Sequence, residues 1–181
     1  RWSTPVVGRL LWIRCSPDNK RFIINIGGLS PVLGDLYRPL LTRRLEGHEA
    51  RVEDAAFTAD GRYVATASAD QTVRVWEVDT GNHVSTHMGL GRPARAVAWS
   101  PDGRRIVCAD DLGNLRAYPF PPTVVSSIAE GFFGDVHGDL VFSSDGKLLA
   151  VTATTNSLAI VETSSLKPTQ TITNLFQPIR F

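Results

Sequence analysis

The sequence predicts an all-β chain in which one small antiparallel sheet is repeated about four times. Three observations carry that reading. Asp18, Asp60, Asp102 and Asp145 sit in similar turns spaced 42, 42 and 43 residues apart. Each turn lies between two short apolar runs. Period-two alternation recurs along the chain, and no segment keeps a helical apolar stripe over several turns.

The turns are "SPDNKR" (16–21), "TADGRY" (58–63), "SPDGRR" (100–105) and "SSDGKL" (143–148). Asp-Gly between apolar runs is a hairpin signal, because glycine takes the positive φ that a tight turn requires. The first strands are then "LLWIRC", "VEDAAF", "ARAVAW" and "GDLVF". The second strands are "RFIINI", "YVATAS", "RIVCAD" and "LLAVTA". The stretch "ADGRYVATASADQTVRVWE" aligns without a gap on "SDGKLLAVTATTNSLAIVE", which adds a third strand to each unit, with "NLRAY" (114–118) between them. In the first unit the third strand falls in "GGLSPVLGD" (27–35), where Pro31 predicts an edge or distorted strand. Fourth strands are expected in "PLLTRRL" (39–45), "HVSTH" (83–87), "TVVSSIA" (123–129) and "TQTIT" (169–173). Four short antiparallel strands per period of about 42 residues is the sequence form of a β-propeller blade. The units run over approximately 8–46, 47–88, 89–131 and 132–175, and 176–181 starts a further one, since "QPIRF" resembles "RPARA" (92–96). Residues 1–181 are therefore expected to form a propeller or, since an open ring leaves unpaired edges, part of a larger one.

Composition narrows the function classes. Of 181 residues, 43% are hydrophobic and 20% charged, the balance of a globular chain, and the net charge is +1. No bulk field calls for nucleic acid or an anionic membrane, and no apolar run approaches the roughly 20 residues that span a bilayer. The start, "RWSTPVVGRLLWIRC", lacks the apolar core and cleavage site of a signal peptide. The expectation is an intracellular protein, cytoplasmic or nuclear, and the initial Arg points to a processed chain or a piece of a longer one. Cys15 and Cys108 read as two small core residues of a reducing compartment.

The stretch "GHEARVEDAAFTADGRYVATASADQTVRVWE" resembles a unit of the WD-repeat (Trp-Asp repeat) family, opening on Gly47-His48 and closing on Trp76-Glu77. That resemblance implies a propeller of about seven blades and a hydrogen-bonded set of His48, Ser68, Asp70 and Trp76. Buried polar groups need partners, so such a set is mutually required and structural. The other units depart from it. Leu90, Leu112 and Tyr118 stand at the His, Asp and Trp positions of the third, and Phe133, Thr155 and Val161 at those of the fourth. These units are expected to rely on apolar packing alone.

Family resemblance also implies contacts from the face carrying the loops between blades. Carried over, those positions are Arg51, Glu53 and Ala69, with Arg9, Arg92, Arg95 and Arg180 completing an arginine rim suited to acidic or phosphorylated segments. The opposite face collects Lys20, Arg21, Arg62, Arg104, Arg105 and Lys147 at hairpin tips. The function expected is a non-enzymatic protein-interaction scaffold within a multi-protein complex, with no catalytic residues, no metal and no cofactor. Two alternatives stand beside it. "GDVHG" (134–138) fits a metallophosphoesterase ligand motif, with Asp135, His137 and Asp139 on one strand face. A nucleic-acid-associated propeller is the other, though no aromatic-basic stacking surface is evident.

Overall fold

The computed structural model describes residues 10–38, 40–122, 127–129, 139–153 and 157–173. Among the described residues sixteen strands form four antiparallel sheets of four, each in simple sequential order, and none is helical. The first sheet holds β1 (Trp12–Cys15), β2 (Arg21–Asn25), β3 (Val32–Asp35) and β4 (Thr42–Arg44). The second holds β5 (Val52–Phe57), β6 (Tyr63–Ser68), β7 (Val73–Glu77) and β8 (His83–His87). The third holds β9 (Ala94–Trp99), β10 (Arg105–Asp110), β11 (Leu115–Pro119) and β12 (Ser127–Ala129). The fourth holds β13 (Leu140–Phe142), β14 (Leu148–Ala153), β15 (Ser157–Glu162) and β16 (Lys167–Thr173). This is an all-β propeller architecture, with the innermost strands β1, β5, β9 and β13 packed in succession.

The repeated turns close by one local mechanism. Ser16, Thr58, Ser100 and Ser143 each donate a hydroxyl to the aspartate two residues on, at 2.6 to 2.7 Å. Each aspartate then accepts a backbone N–H two residues further, at 3.0 Å. Gly61, Gly103 and Gly146 take φ near +70°, and Asn19 takes the same role at +55°. Asparagine tolerates that conformation better than other side chains, which is why the first turn closes without glycine.

Pro31 does not push β3 to an edge. It stands just before the strand, and β3 pairs with β2 and β4 on its two sides. A proline at that point removes no ladder donor, and its own carbonyl accepts Leu45 N at 2.9 Å. Gly34, where the second sheet has Trp76, leaves room for the Phe22 ring. Cys108 is buried as expected, but Cys15 is exposed, because the innermost strand β1 alternates between half-buried and exposed positions.

The core is three apolar clusters lying across the seams between sheets. Val64, Trp76 and Val78 pack with Ile23 and Leu33; Ala65 and Val75 with Val97, Trp99 and Ile106; Val107 and Leu115 with Leu149, Val161 and Leu166. Side-chain donors reinforce the seams. Trp12 and Asn25 donate to Val52 O, and Trp99 donates to Ala56 O. Leu166 takes φ +53° although it is not glycine, and its side chain is fully buried. The backbone cost of that conformation, about 1–2 kcal/mol, is of the same order as the gain from burying a leucine side chain.

Candidate functional site

Two constellations are distinct in kind. The first joins the connection before β5 to the outer half of the second sheet. His48 Nδ1 lies 2.7 Å from Asp70 Oδ2, and a carboxylate only accepts, so this nitrogen carries the proton. His48 Nε2 therefore accepts, from the Thr66 hydroxyl at 2.7 Å, and Trp76 Nε1 donates to the same hydroxyl oxygen at 2.9 Å. Protons thus point one way along the chain Trp76, Thr66, His48, Asp70. Burial lowers the His48 pKa, against the opposing pull of Asp70, in keeping with a neutral ring. Burial alone would raise Asp70, but hydrogen bonds from Thr72, His48 and Glu49 N hold its carboxyl down to about 2.

Thr66, not Ser68, is the hydroxyl in this chain. The register pairs Val64 with Trp76 and Thr66 with Arg74, so the indole reaches Thr66 on the diagonal. Ser68 lies two residues further along the strand, out of reach. Its hydroxyl donates instead to Ala50 O and Arg51 O, both at 3.1 Å, and accepts Asp70 N at 3.1 Å. Both residues share one strand face, so sequence alternation alone does not separate them.

The third sheet is not held by apolar contacts alone. Asp110 stands where Ser68 does, and accepts Leu112 N and Asn114 N at 2.9 Å and Asn114 Nδ2 at 2.6 Å. Cys108 replaces Thr66 and donates to Arg116 O at 3.7 Å; burial pushes its thiol up to about 12. Tyr118 replaces Trp76, donates to Met88 O at 3.3 Å and packs on His87 with ring centroids 4.8 Å apart. In the fourth unit Val161 is buried, while Phe133 and Thr155 lie outside the described residues.

The second constellation lies at the ends of the innermost strands. The β5–β6 register skips Glu53, and the β9–β10 register skips Arg95, so each is the extra residue of a β-bulge. Bulges re-aim side chains. Here they place Arg95 Nη1 2.6 Å from Glu53 Oε1, with Arg51 Nη2 2.8 Å from the same carboxylate. Ala69 N donates to Arg51 O at 2.9 Å, which ties the β6–β7 turn to this patch. Arg92 forms a fork with Asp111, at 2.6 and 3.4 Å. Arg51, Arg92 and Arg95 are therefore paired with acids, and not a bare cationic rim. Two guanidinium groups against one carboxylate still leave an excess positive charge at Arg51 and Arg95. Arg9 and Arg180 lie outside the described residues.

A third cluster escaped the sequence reading. Arg14 Nη2, on β1, lies 2.9 Å from Asp54 and 2.8 Å from Asp139, so one side chain joins three sheets. Burial pushes the Asp54 carboxyl up to about 6, although Arg14 and Val97 N oppose the shift. A cleft of about 420 Å³ beside them is lined by Cys15, Phe57, Val97 and Val141. The usable signal was that Asp54 and Asp139 occupy equivalent positions two repeats apart. Asp135 and His137 of the metallophosphoesterase motif lie outside the described residues. Among the described residues, no group of three or more His, Cys, Asp and Glu is placed to hold a metal ion, and no helix is long and apolar enough to cross a membrane.

The WD domain, G-beta repeat model matches residues 39–77 and 82–118. Among curated relatives, the WD repeat-containing protein 26 homolog of Arabidopsis thaliana is 38% identical over 66 residues, which is 35% of this chain and 11% of the relative. Transcription initiation factor TFIID subunit 5 of Caenorhabditis elegans is 34% identical over 106 residues, 58% of this chain and 16% of the relative. Protein HIR1 of Mycosarcoma maydis is 32% identical over 145 residues, 75% and 13%. The chain thus spans less than a fifth of the length of these three relatives. The β-propeller domain of Myceliophteria thermophila Cps50 (Swd1) superposes with a TM-score of 0.79, at 15% identity, over 91% of this chain and 55% of that one. Repeated hairpins, sequential four-stranded sheets and two matched repeats agree: the chain carries WD repeats on a β-propeller fold.

Proposed function

We propose that this chain is a non-enzymatic protein-interaction scaffold, a subunit or domain of an intracellular multi-protein complex. On this reading it recognises partner segments, acidic or phosphorylated, at the strand ends that carry Arg51, Glu53, Ala69, Arg92 and Arg95. The observation that carries the proposal is the pair of aligned bulges. Two neighbouring strands spend a ladder irregularity each to present Glu53 and Arg95 together, and such bulges concentrate at functional edges. An acidic segment would take over one guanidinium from Glu53, exchanging one charge-assisted pair for another. Names among the relatives support a complex subunit: one is a TFIID subunit, and another, from Saccharomyces cerevisiae, is a U3 small nucleolar RNA-associated protein.

The test is quantitative co-purification with the Arg51→Glu, Arg95→Glu double variant against the unchanged chain. Loss of a common set of partners with an unaltered melting curve is expected. Equal recovery of every partner would remove the face from consideration.

A further inference from the structure

The repeat allows the three seams between sheets to be compared position by position. At the hairpin end, the residue that follows the third strand enters the seam with the preceding sheet. Val78, Phe120 and Thr163 are equivalent there, each donating its N–H to the preceding hairpin at Arg62 O, Arg104 O and Lys147 O, respectively. Opposite them, from the preceding sheet, stand Arg21, Tyr63 and Arg105.

The first two seams are filled. In the first, Val78 is buried among apolar side chains, and Arg21 pairs with Asp35 of its own sheet and, at 3.0 Å, with Asp79 of the next. In the second, the Phe120 ring packs edge-on against Tyr63 and Trp99, both with centroids 5.0 Å away. The remaining clefts measure about 190 and 200 Å³. The third seam has neither device. Thr163 occupies the plug position and turns its hydroxyl back to Gly146 O at 2.6 Å. Ser164 replaces Asp79, and Pro119 replaces Asp35. Among the described residues Arg105 is left with a 3.4 Å contact to Thr163 O and no carboxylate within ion-pair distance. The cleft opens to about 680 Å³, floored by Val107 and Phe142 and flanked by Arg105 and Lys147.

We infer that the seam between the third and fourth sheets is a second docking cleft, for a partner segment bearing an aromatic side chain beside a single carboxylate. The ring would fill the place that Phe120 fills one seam earlier. The carboxylate would meet Arg105 as Asp79 meets Arg21. A doubly charged phosphate fits less well. Asp102, Asp145 and Glu162 also line the cleft, each already accepting from a neighbouring serine, and their charges oppose a second negative charge. This cleft lies at the opposite strand ends from Arg51 and Arg95, so it stands or falls separately from the interaction face proposed above.

The test is an amide-shift titration of the full chain with Ac-Phe-Asp-NH2 and Ac-Asp-Phe-NH2, with Ac-Phe-Asn-NH2 as the neutral control. Saturable shifts confined to Val107, Phe142, Thr163 and Ser164 are expected. The neutral peptide and the Arg105→Gln variant should each weaken binding by about tenfold or more, the worth of a charge-assisted pair. Thr163→Phe should abolish binding by supplying the missing plug. If that variant does not fold, Arg105→Gln and the neutral peptide decide the matter. No saturable shift, shifts centred on Arg51 and Arg95, or affinity indifferent to Arg105 would each overturn the inference.

Discussion

The second and third sheets place different chemistry on the same scaffold. In the second, Asp70 reaches out of its turn to His48, and Thr66 relays that bond to Trp76. In the third, the carboxylate stands two residues earlier, at Asp110, and accepts from Leu112 and Asn114 of its own turn. The difference separates two tasks. Closing the turn between the second and third strands needs a carboxylate near the bend, and either position serves. Anchoring the incoming connection falls to the histidine in the second sheet, through a relay of side-chain hydrogen bonds. Where the third sheet lacks it, Tyr118 and His87 fix the corresponding connection by ring packing and a bond to Met88 O.

The sharpest break in that comparison is Trp76→Ala. It removes the largest fully buried side chain among the described residues and the first donor of the relay, and denaturant unfolding should register a loss of about 3–5 kcal/mol. Thr66→Val comes next. It orphans a buried indole N–H and an imidazole nitrogen, at a cost of about 1–3 kcal/mol, whereas Cys108→Val at the equivalent place should cost less than about 1 kcal/mol. Measured losses of equal size would dissolve the distinction between the sheets.

Acid provides a third comparison. Asp70 has a folded pKa of about 2, below the ordinary aspartate value, so it stabilises above that value and the contribution is lost as pH falls towards 2. Asp54 has the opposite sign. Its folded pKa near 6 means that the folded state holds a proton the unfolded chain has released, so stability falls as pH rises from about 4 through 6. Melting curves across pH should show Asp70→Asn flattening the acid limb and Asp54→Asn flattening the other. A further small effect is a rescue: Ser68→Asp added to Asp70→Leu should restore about 1 kcal/mol, because it moves the carboxylate to the third sheet's position. No recovery in thermal unfolding would mean that the two turns are not interchangeable.

Strand order and hairpin positions were legible because alternation and Asp-Gly turns are local, and four copies of one pattern reinforce each other. The site was legible only in part. Trp76, His48 and Asp70 followed from the resemblance, but choosing between Thr66 and Ser68 required the register of β6 against β7. Arg51, Glu53 and Arg95 were all named, but not the pairing of Glu53 with both arginines, because a bulge is a defect of pairing that no single strand records. Arg14 was missed for a similar reason: its partners come from two other repeats.

The four hairpins have one more consequence, which concerns folding order. Their hydrogen bonds close within six residues, among the shortest loops in the chain, so they are expected among the earliest native contacts. Being nearly identical, they carry no information about which strand belongs to which sheet. A slip by one whole repeat would leave all of them satisfied. What opposes such a slip is the set of residues that spoil the repetition: the His48 anchor, the Phe120 plug, the buried Leu166. Irregularity, on this view, is the addressing system of a repetitive chain.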